Sequence, residues 1–83
     1  MSVTAAGVSF FWDFHGPRAE GTARHFARHL GELFAREAIA GCTTAVEEAA
    51  RNHWVVRCDA PAAHAESLRR ALRPRRESPA AGE

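Results

Sequence analysis

The sequence predicts a small two-layer α/β (α+β) sandwich of the ferredoxin-like kind, β-α-β-β-α, with an antiparallel three-stranded sheet. Three observations lead there. Val8 to His15 alternates apolar and polar residues with period two. A long amphipathic stretch follows it directly. A second strand pair and a second, shorter amphipathic stretch come next, in that order.

In the first strand, Val8, Phe10, Trp12 and Phe14 share one face, and Ser9, Phe11, Asp13 and His15 share the other. Aromatic residues at this spacing suit a pleated, half-buried surface, so the Val8 face is assigned to the core. Gly16-Pro17 then starts a helix, with Pro17 suited to its first position because the missing N–H loses nothing there. Ala19, Ala23, Phe26, Leu30, Leu33 and Phe34 form its apolar stripe. Gly41, after Ile39-Ala40, is the expected stop.

Cys42 to Glu47 reads as a second strand, with Cys42, Thr44 and Val46 on one face, and Asn52 as a turn residue. His53 to Cys58 reads as a third, with Trp54, Val56 and Cys58 inward. Asp59 to Pro61 carries a capping carboxylate and a first-turn proline, so a second helix is expected to run to about Arg73 and to stop at Pro74. The compact domain is thus expected over residues 1–74, and 75–83 as a disordered, polar tail. Without a fourth strand, the outer edge of the first would be open. A second copy of the chain pairing there, as a homodimer, is the expected cover, with Met1 to Gly7 as the alternative.

Composition bounds the function. The 83 residues allow one small domain whose core is limited, and the net charge of +1 argues against a strongly charged partner. All 11 basic residues are Arg, a usage that points to a GC-rich bacterial genome more than to a binding device. No apolar run is long enough for a membrane helix, and the N-terminus lacks the basic region of a secretory signal, so a cytoplasmic address is expected. Cys42 and Cys58 are then expected as reduced thiols that pack as small apolar residues.

Four constellations carry chemistry. His15 and His53, from neighbouring strand ends, share a face with Glu47, and two imidazoles with a carboxylate can hold a divalent metal or exchange protons near neutral pH. His25 and His29 lie i,i+4 on the first helix, a spacing used in zinc sites, but Phe26 stands where the zinc hydrolases place a Glu. Arg69, Arg70, Arg73, Arg75 and Arg76 could contact phosphates, with Phe11 and Arg57 on the open sheet face as a thin stacking surface. A helix C-terminus attracts arginines in any case. Asp13, between Trp12 and Phe14, is open to three roles: a charge guarding the strand edge, a helix cap, or a member of the His15 site.

There is no Gly-rich phosphate loop and no nucleophile elbow, and no cofactor beyond the divalent metal is expected. The leading expectation is a homodimeric interaction or small-ligand-binding module rather than an enzyme. A metal-binding protein or dimer-built enzyme using His15, His53 and Glu47 comes second. Nucleic-acid binding through the arginines comes third.

Overall fold

The computed structural model describes residues 7–79, arranged as β1 (Val8–His15), α1 (Ala19–Arg36), β2 (Thr43–Ala50), β3 (His53–Ala60), α2 (Ala62–Leu72) and β4 (Arg76–Pro79). It is a small α+β fold in which both helices lie on one face of a four-stranded antiparallel sheet of order β2-β3-β1-β4. No helix among the described residues is long and apolar enough to cross a membrane.

β1 is one of the two inner strands of the sheet, paired with β3 on one side and β4 on the other. Its register against β3 runs unbroken from Val8↔Ala60 to His15↔His53. Phe10 and Trp12 are buried and Val8 and Phe14 pack against the same core, as the period-two pattern requires. Burying a side chain such as Phe10 contributes about 1.5–3 kcal/mol. Phe26 of α1 sits against both Trp12 and Phe14, at ring-centroid distances of 5.0 and 5.6 Å. The Trp12 indole N–H donates to the carbonyl of Leu72, 3.3 Å away. That bond satisfies a buried polar group and one of the free carbonyls at the end of α2 together.

The sheet has four strands where three are expected. Arg76 to Pro79, assigned to a disordered tail, forms β4 and pairs with Val8 to Phe11. All four of its residues are exposed, and its short Arg-Glu-Ser-Pro sequence carries no apolar alternation that would announce a strand. It is held instead by the β1 ladder and by Glu77, which accepts a two-pronged bond from Arg69 of α2. The edge of β1 expected to recruit a second copy is therefore half covered. The rest of that tail and Met1 to Ala6 lie outside the described residues.

Three helix boundaries also move; at the first, α1 starts at Ala19, with Pro17 in the turn before it rather than at the first helical position. α2 starts after Pro61, because β3 continues through Asp59, whose carboxylate is spent on Ser9 and Arg57 rather than on a cap. α1 stops at Arg36, short of Gly41. There the Ile39 N–H bonds to the Phe34 carbonyl at 2.8 Å and the Ala38 N–H to the Ala35 carbonyl at 3.3 Å. This is the Schellman pattern, and Ile39 returns to the core beside Phe34. The position that must turn left-handed is Ala38, at φ 55°, where helices usually place Gly.

Ala38→Gly should therefore stabilise the protein, by about 0.5–1 kcal/mol, since the strain relieved exceeds the entropy Gly adds to the unfolded chain. Urea unfolding measures this; an unchanged or lower midpoint would contradict the Schellman assignment.

Candidate functional site

The helix-free face of the sheet carries residues of three strands: Ser9, Phe11, Asp13 and His15 from β1, His53, Val55, Arg57 and Asp59 from β3, and Arg76 from β4. They resolve into two bonded groups. Toward the Val8 end, the Ser9 hydroxyl and the Arg57 Nε both donate to the Asp59 carboxylate. Burial pushes the Asp59 carboxyl up, but these two partners outweigh it and hold it below its ordinary value.

Toward the other end, Asp13 is the hub. Its Oδ1 lies 2.9 Å from His53 Nε2 and accepts from the Arg76 guanidinium at 2.8 Å; its Oδ2 accepts from Arg76 Nε at 3.2 Å. The Arg76 bonds foremost, and then that of His53, lower the Asp13 carboxyl to about 2. The Arg76 guanidinium also lies over the Phe11 ring, 4.9 Å from its centroid, so one side chain joins the acid to the aromatic. His15 stacks on His53 with ring centroids 4.3 Å apart and planes 18° from parallel.

The structure thus brings His15 and His53 together, as expected of directly opposed residues on one face. It does not bring Glu47. The β2 register sets Glu47 opposite Val55, and after a bulge between Glu48 and Ala50 it sets Ala50 opposite His53. The carboxylate at His53 is Asp13 instead, diagonal to it across the β1–β3 ladder. Among the described residues no three His, Cys, Asp or Glu side chains converge as metal ligands. Chemically, Asp13 orients the His53 ring through one nitrogen and leaves the other free to exchange a proton. Of the three roles open to Asp13, the structure selects the histidine site; Arg76 was hidden with β4.

The arginine cluster is divided. Arg69 binds Glu66 and Glu77, Arg70 binds Glu66, and Arg76 binds Asp13. Each is turned toward an acid of the same chain. His25 and His29 stand on the exposed side of α1 with ring centroids 4.2 Å apart, and His25 lines a shallow concavity there with Gly21, Arg24 and Arg28. Arg24 there is anchored by Glu20 and lies over Trp54.

Cys42 and Cys58 are free thiols. Burial raises both, Cys58 to about 12, with the neighbouring Cys42 and Asp59 adding to it. Burial thus disfavours the thiolate form at both.

Because Asp13 titrates at about 2 in the folded chain against an ordinary 3.8, its contribution is complete above about pH 4 and disappears as pH falls toward 2. Allowing for solvent screening at the half-exposed Arg76, it amounts to about 1–2 kcal/mol. Asp13→Asn should be less stable than wild type by that amount at pH 6, and the difference should close by pH 2. A gap independent of pH, measured by denaturant unfolding along this series, would show that the ion pairs contribute nothing.

Comparison with protein-family models, with curated proteins and with solved structures finds no match for this chain.

Proposed function

We propose that this chain is a homodimeric interaction or small-ligand-binding module, with the helix-free face of the sheet as its working surface. The observation that supports this reading is the order of that face. Phe11 lies beneath Arg76, Asp13 locks Arg76 and His53 in place, and Arg57 is fixed by Asp59. Charged and aromatic groups held in one geometry lose little entropy when a partner meets them, which is what a binding surface needs. Nearly every charge on the face is balanced by a neighbour, so the partner it suits is another balanced surface rather than a polyanion.

The fold reading belongs with this proposal. The element order β-α-β-β-α-β and the strand order β2-β3-β1-β4 support a ferredoxin-like arrangement. That arrangement hosts many functions, so the weight rests on the site. The two free thiols agree with a reducing, cytoplasmic setting.

A second reading has one observation in its favour. The Asp13–His53 pair with His15 stacked on it is an oriented imidazole, and it supports acid–base chemistry or metal capture in a site that a second copy completes. The nucleic-acid reading draws less support, since Arg69, Arg70 and Arg76 are engaged within the chain.

Light scattering in EDTA and again with excess zinc separates these readings. A dimer of the same mass in both is the expected result. An assembly that forms or dissolves with zinc would favour the second reading, and a monomer throughout would overturn the proposal of a homodimer.

A further inference from the structure

β1 was the strand edge expected to recruit a second copy, and β4 now occupies half of it. The long free edge is on the other side of the sheet. β2 spans Thr43–Ala50, and among the described residues only β3 pairs with it. Seven of its eight residues are exposed, Val46 being half-buried. An edge of that length is a template for another strand unless the sequence guards it.

The backbone groups that face outward can be identified. Gly16 donates to the Asn52 carbonyl on the β3 side of β1, whereas the Phe11 carbonyl accepts from Arg75 on the β4 side. Alternation along an antiparallel ladder then turns the even residues of β1 and their partners Trp54, Val56 and Cys58 toward each other. The odd residues of β3 turn to β2, where they meet Thr43, Ala45 and Glu47. Thr44, Val46 and Glu48 are left with their N–H and C=O groups pointing away from the sheet.

The guards on this edge are confined to its end. Glu47 and Glu48 stand together, and the bulge follows between Glu48 and Ala50. Thr43 to Val46 carries no charge, no Pro and no bulge. Two copies paired around a two-fold axis at Glu47 or beyond would set carboxylate against carboxylate, which is unfavourable. An axis at Val46 would carry the seam into the bulge. An axis at Ala45 does neither. It pairs Thr44 with Val46 of the second copy through their outward backbone groups, and it sets the Thr43 hydroxyl opposite the Glu47 carboxylate. The small Ala45 side chains meet on the axis itself.

Resting on the homodimer reading above, we propose that the partner at the β2 edge is a second copy of this chain, paired antiparallel about Ala45 to make one continuous sheet. The two helix-free faces then form a single extended surface, with the Asp13–His53 sites at a distance from the seam and both open.

The test uses the full chain with Ala45→Cys in a Cys42→Ser background, which removes the neighbouring thiol. In an antiparallel non-hydrogen-bonded pair the Cα atoms lie about 4.5 Å apart, within disulfide reach. Oxidised glutathione should therefore convert this variant to a covalent dimer, while Glu47→Cys in the same background stays uncrosslinked. Thr44→Pro removes an outward N–H and leaves the bonds to β3 in place. It should keep the wild-type far-UV circular dichroism and weaken association at least tenfold by light scattering. A wild-type dimer with no Ala45→Cys crosslink, and with association unmoved by Thr44→Pro, would overturn the β2 seam and leave the homodimer standing. A wild-type monomer would overturn both and leave another segment of the chain as the cover for β2.

Discussion

The position of β1 is the constraint on which the rest depends. Like β3 it has partners on both sides, and its two faces differ: Val8, Phe10, Trp12 and Phe14 lie on one, and Ser9, Asp13 and His15, with Phe11 among them, on the other. One face buries Phe10 and Trp12 beneath the helices; the other sets Ser9, Asp13 and His15 into the polar surface. A shift of one residue in its pairing would exchange those faces, exposing the aromatics and burying an aspartate. The apolar face thus fixes the register, and the register places His15 opposite His53 and Asp13 within reach of it. The site is a consequence of the core.

Much of this was legible because β1, β3 and α1 bury large side chains at a strict period. The inward set Val8, Phe10, Trp12, Phe14, Trp54, Val56 and Cys58 reads straight from the sequence and packs as one core. The meeting of His15 and His53 followed from the same parity. β4 was not legible, because its residues are exposed and its stability comes from Arg69 and from an edge at the far end of the chain, at Val8 to Phe11. Local pattern carries no trace of a strand that only tertiary pairing creates.

The other differences share that origin. Asp59 has the right identity for a helix cap, yet Ser9 of β1 and Arg57 of β3 itself both donate to its Oδ1, and β3 extends through it. Glu47 has the right parity for the histidine site, but parity gives the face and not the contact; Asp13, opposite Val55 from the β1 side as Glu47 is from the β2 side, is the carboxylate that meets His53 Nε2. Asp13, left open between three roles, is settled by Arg76, a residue of the strand that could not be foreseen.

Amide hydrogen exchange under native conditions tests the central place of β1 most directly. If β1 is an inner strand, the amides of Phe10, Trp12 and Phe14, bonded toward β3, should be among the slowest in the chain and exchange only through global unfolding. Those of Ser9 and Phe11, bonded toward the short β4, should open at lower free energy. Slow exchange concentrated in β2, or fast exchange at Trp12 and Phe14, would contradict the sheet order and with it the placement of the Asp13–His53 site.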